Sequence, residues 1–179
     1  MQGNWKGSRA GEFSFSTLTA ESYPSSVQLH PLNKGLSQFI SKDKRTQSVS
    51  LQALLPLLKK AVQESNQTGL SCSKVAIINV STIGGSIGNN PSMATFPVIS
   101  YRCTKTALNM LTRCQSVTHK QGRILCIAQH PGWVKTEQGT AKAELTVEDS
   151  VQGILKVLST CSEKHHGIVV NWTERTVPW

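Results

Sequence analysis

From residue 49 onward the chain alternates between apolar residues at helical spacing and short apolar runs. SLQALLPLLKKAVQES, within residues 49 to 65, repeats its leucines at a helical period, and Pro56 is expected to distort its first half or to mark its effective start. KVAIINVS (74 to 81) is nearly continuous and β-branched, the pattern of a strand buried on both faces. After the loop TIGGSIGNNPSMATFPV, residues 100 to 118 form a helix running to about Lys120, with Ala107, Leu108 and Leu111 at helical spacing. RILCIAQHPG (123 to 132) and GIVVNW (167 to 172) are two further strand-like runs. Between them Thr146 and Asp149 make a capping-box-like start for a helix to about Thr160, striped by Val147, Val151, Ile154, Leu155 and Leu158.

The order is therefore α-β-α-β-α-β, which predicts an α/β fold with a Rossmann-like, doubly wound parallel sheet. Ligands in such sheets sit beyond the carboxyl ends of the strands, where the loops after Ser81 and His130 and the start of the helix holding Tyr101 would gather. Residues 1 to 48 carry no sustained period beyond a short piece around Leu36 to Ile40, and are expected to be a disordered segment preceding a domain over 49 to 179.

Composition narrows the classes. The 179 residues and 38% hydrophobic content suit one domain with a real core. No run approaches the ~20 apolar residues of a membrane span, and MQGNWKGSRAGEF has no secretory-type apolar stretch, so the chain reads as cytoplasmic. The five cysteines are odd in number and lack a C-x-x-C pair, against both a disulfide framework and a zinc site. A net charge of +9 suits an anionic partner, but the basic residues are scattered without aromatic interleaving, which argues against nucleic acid and leaves a phosphorylated cofactor.

SYRCTKTALNML (100 to 111) sets Tyr101 and Lys105 one turn apart on a single helical face. An ammonium beside a phenol favours the phenolate, so Lys105 is expected to lower the pKa of Tyr101 toward proton transfer at neutral pH. The bare Y-x-x-x-K pattern is equally that of a packed tyrosine beside a solvated lysine; the surroundings decide. A strand ending Asn79-Val80-Ser81-Thr82, Y-x-x-x-K opening the next helix and a strand ending HPGWVKT together resemble the short-chain dehydrogenase/reductase family. Within it the segments SYRCTKTALNMLTRCQ, HPGWVKTEQG, LTVEDSVQGILKVLST and the W-x-x-x-x-V-P-W ending are similar to the sniffer and C-factor-like carbonyl reductases.

The resemblance covers residues 49 to 179, the C-terminal part of such an enzyme, and implies NADP-dependent reduction of a small ketone or aldehyde. It implies Tyr101 as general acid and Lys105 as its partner and as a ligand of the nicotinamide ribose. Pro131, Gly132 and Val134 would line the nicotinamide, Thr136 would bond near its carboxamide or the phosphates, and residues 137 to 145 would cover the substrate. Where the family commonly shows N-x-S-S, the second position here is Thr82, the implied substrate-polarising hydroxyl; Ser81 would face the other way.

The glycine turn with which the family binds a dinucleotide has no counterpart in residues 1 to 48. The substitute I-G-G-S-I-G (83 to 88) is not followed by an apolar helix, and is expected to be a surface turn beside the substrate pocket. The alternative reading is thus a truncated, non-catalytic variant, at most a dimerising interaction protein. The resemblance also implies a homodimer through helices 49 to 65 and 100 to 118.

Overall fold

In a computed structural model of the chain, which describes residues 42–65, 68–89 and 98–179, three long helices flank a four-stranded sheet. The elements are α1 (Lys42–Glu64), β1 (Ala76–Val80), α2 (Ile99–His119), β2 (Leu125–His130), α3 (Val147–Thr160), β3 (Val169–Asn171) and β4 (Thr176–Val177). Strand order is β1-β2-β3-β4, the first three parallel and β4 antiparallel to β3. The expected parallel, Rossmann-like sheet is present, with an antiparallel edge strand that the sequence did not announce. Asn171 turns the chain into β4 by accepting from the backbone N–H groups of Thr173 and Arg175 through its side-chain oxygen.

α1 departs from expectation at two points. It begins at Lys42, ahead of the boundary expected at residue 48, because Lys, Arg and Gln are good helix formers even without an apolar stripe. Pro56 neither starts nor breaks it: Pro56 and Gln52, whose carbonyl the proline leaves without an intrahelical donor, are both exposed to water. The remainder of the segment expected to be disordered lies outside the described residues.

The sheet divides the core in two. Leu125 and Ile127 of β2 face one way, onto Val157, Leu158 and Cys161 of the α3 side together with Leu70, Cys72 and Val170. Ile124 and Cys126 face the other way, onto Val62 and Val75 with Leu55 and Leu58. β2 is the central, wholly buried strand. β1 is not buried on both faces as its composition suggested: only Asn79 is fully buried, and Val80 is half exposed, because β1 pairs with β2 alone among the described residues. The capping box at the head of α3 is formed, Thr146 accepting from the Asp149 N–H while the Asp149 carboxylate accepts from the Thr146 N–H. No helix among the described residues is long and apolar enough to cross a membrane.

Candidate active site

At the carboxyl end of β1 the chain enters a 3₁₀ turn, Ile83–Gly85, capped by Thr82, whose hydroxyl oxygen accepts from the Gly84 N–H at 3.3 Å. A Cβ on Gly85 would stand 2.7 Å from the Lys105 carbonyl carbon, so only glycine lets the turn lie against the backbone of α2. Thr106 and Asn109 then donate to the Gly85 carbonyl at 2.9 and 3.2 Å. The turn is the surface feature expected only in part: Ile83, Ile87 and Gly88 are exposed, whereas Gly84, Gly85 and Ser86 are buried and Gly85 packs against α2. Its outer end is fastened to the C-terminal residues, Ser86 donating to the Pro178 carbonyl and the Gly88 N–H to that of Trp179.

The seating of α2 rests on a buried polar row. The Asn79 amide donates to Thr112 Oγ1 at 2.9 Å and to Gln115 Oε1 at 2.8 Å, and Ser81 Oγ donates to Asn109 Oδ1 at 2.5 Å. Sequence reasoning missed this row, although Asn109, Thr112 and Gln115 recur at helical spacing on a face that would otherwise be apolar. Ser81 is thereby spent on structure, pointing under α2 as its strand parity required, while Thr82 stands at the strand end.

Tyr101 and Lys105 open α2 on the same side of that strand end. The Lys105 ammonium lies 5.7 Å from the Tyr101 ring centroid and donates to the Val80 carbonyl at 2.9 Å, which sets the pair beside Thr82's strand. The expected direction of the Tyr101 pKa is reversed: burial of the half-covered phenol pushes it above its ordinary value. Nearness to an ammonium was readable from i,i+4 spacing, but the dehydration of the ring was not.

The loop after β2 folds back on itself. Gly132 takes φ +86°, and a Cβ there would collide with Leu145 Cδ1 and stand 3.0 Å from the Trp172 ring, so the turn out of the sheet requires glycine. Ser150 holds the Pro131 carbonyl at 2.7 Å. Val134 bridges Leu145 through Lys135 N–H to Leu145 O (2.8 Å) and Leu145 N–H to Trp133 O (3.0 Å), and Trp133 Nε1 donates to Gly139 O at 2.7 Å. Thr136 accepts from the Gly139 N–H at 3.0 Å and remains exposed. Two buried polar atoms at the end of β2, Gln129 Oε1 and His130 Nδ1, have no partner among the described residues, and burial holds His130 down to about 4.

An ammonium, hydroxyls and a constrained backbone loop at the carboxyl ends of β1 and β2 fit the nicotinamide half of a dinucleotide. The pyrophosphate half has no matching glycine turn before a helix among the described residues, since the 83–88 turn is committed to α2.

No family model matches the chain. Among curated proteins it is 33% identical over 138 residues to the Neurospora crassa short-chain dehydrogenase srdF, across 72% of this chain and 50% of that protein. It is 32% identical over 103 residues to the C-signal of Myxococcus xanthus, across 58% of this chain and 60% of that protein. The chain thus spans 50% to 60% of the length of these relatives. Among solved structures, the NADPH-bound carbonyl reductase from chicken fatty liver matches with a TM-score of 0.71 and 50% identity, covering 74% of this chain and 51% of that one. Carbonyl reductase Sniffer of D. melanogaster matches with a TM-score of 0.70 and 32% identity, covering 93% and 63%.

Proposed function

The chain belongs to the short-chain dehydrogenase/reductase family, and from that premise we propose that its residues 74 to 136 form the proton-donating part of an NADP-dependent carbonyl reductase. The observation that carries this reading is the stacking of Lys105 on Tyr101 at the strand end that bears Thr82. The Tyr101 hydroxyl donates its proton to the oxygen of a ketone or aldehyde as negative charge develops there. A phenol held above its ordinary pKa is protonated at neutral pH, the form an acid needs, and the Lys105 ammonium stabilises the phenolate left behind. Thr82 donates a hydrogen bond to the same oxygen. NADPH, when bound, supplies the hydride to the carbonyl carbon; Lys105, Thr136 and the backbone of Pro131, Gly132 and Val134 orient its nicotinamide half.

Titration with NADPH followed by nicotinamide fluorescence tests the proposal: saturable binding at micromolar concentration supports it. Tyr101→Phe is then expected to lower turnover by about 10²- to 10⁴-fold while leaving that binding in place. Unchanged turnover would remove Tyr101 from the chemistry.

A second reading, a non-catalytic chain that acts by dimerising, is favoured by a different observation. Ile99, Cys103, Met110, Cys114 and Val117 of α2 are exposed and recur at spacings of three, four or seven residues, one face of the helix turned to solvent. Absence of NADPH binding together with self-association would carry that reading.

A further inference from the structure

Two cysteines remote from the Tyr101 site face one another. Ser71 and Ser162 form an isolated antiparallel bridge, and Cys72 and Cys161, each one residue from it, enter the same core cluster. Both side chains are buried in the same core cluster, beside Leu70 and Leu158, and both are reduced. The two thiols interact through a side-chain hydrogen bond, which holds Cys161 below the usual thiol value and favours it as the nucleophile. None of the remaining three cysteines offers such a pair. Cys103 and Cys114 are exposed on α2, and Cys126 lies across the sheet with its pKa pushed up to about 12 by burial.

We propose that Cys72 and Cys161 form a redox clamp, in which a small peroxide converts the two thiols to a disulfide that fastens the segment before β1 to the end of α3. The Cys161 sulfur attacks the peroxide O–O bond, becoming a sulfenic acid and releasing water or an alcohol. The Cys72 sulfur then attacks the Cys161 sulfur, and the departing hydroxide leaves as water with the proton Cys72 gives up. Two thiols are oxidised by two electrons and one peroxide is reduced.

Oxidation of the whole chain with hydrogen peroxide under native conditions, followed by alkylation and tryptic mass mapping, tests the clamp. The expected product joins the peptides 61–74 and 157–164 with a loss of two hydrogens, about 2 Da, and the thiol count falls from five to three. In a Cys103→Ser, Cys114→Ser variant, which retains three of the five thiols, the count falls to one and the same linked peptide appears. Peptides 61–74 and 157–164 that remain alkylated after oxidation, or that link to other cysteines, would overturn the proposal. The oxidised chain is also expected to melt on the order of 10 °C higher, reversibly with dithiothreitol; a mapped cross-link without that rise would refute the clamping role.

Discussion

Ser81 and Thr82 are adjacent hydroxyls committed to different work. Ser81→Ala leaves the buried Asn109 Oδ1 without its donor and is expected to cost about 1–3 kcal/mol in urea denaturation, with turnover per folded molecule unchanged. On the proposed role of Thr82 as hydrogen-bond donor to the substrate oxygen, Thr82→Val is expected to lower turnover on the order of 10²-fold, with Thr82→Ser restoring it. Turnover lost in the Ser81 variant and kept in the Thr82 variant would exchange their roles. His130 gives the pH dependence. Its folded pKa of about 4 lies below the unfolded value near ~6.5, so between the two the unfolded chain takes up a proton that the folded chain refuses. Its contribution is full above pH ~6.5 and is lost as pH falls toward 4, a span of about 3 kcal/mol. Burial lowers His119 and His165 as well, in the same sense. His130→Gln is expected to flatten the fall in urea midpoint between pH 7 and pH 4.5; an unchanged slope would contradict it.

At the scale of elements, what was legible followed local chemistry. Thr146 and Asp149 announced the start of α3 because a capping box is written within four residues, and the three parallel strands announced themselves as short apolar runs. The start of α1 at Lys42 and the two-residue β4 were not legible: one is polar, the other too short to show a period. The Tyr101–Lys105 pairing was legible from spacing, whereas the direction of the Tyr101 pKa depends on what the tertiary fold lays over the ring. Gly85 was misjudged for a related reason, because a glycine needed for close approach looks like a glycine needed for a turn. Gly85→Ala tests its packing role. The added methyl meets the α2 backbone rather than a movable side chain, and is expected to destabilise the chain by about 1–3 kcal/mol in chemical denaturation. An unaltered midpoint would show that turn and helix separate freely.

Across the whole molecule, two surfaces are left to be covered. β1 presents a side without a strand partner among the described residues, and α2 presents its apolar stripe. If the stripe is where two copies meet, sedimentation equilibrium at micromolar concentration is expected to give a dimer, and Met110→Glu with Val117→Lys a folded monomer. A monomeric parent chain would exclude that face. Between these surfaces lies the row joining Asn79 and Ser81 to Asn109, Thr112 and Gln115. Slipping α2 by one turn would strand all of these groups in a dry interior at once, so the row behaves as a ruler for the helix. Tyr101 is positioned by marks lying about two to four turns further along, and an alteration made there would be felt as a mis-set distance at the phenol.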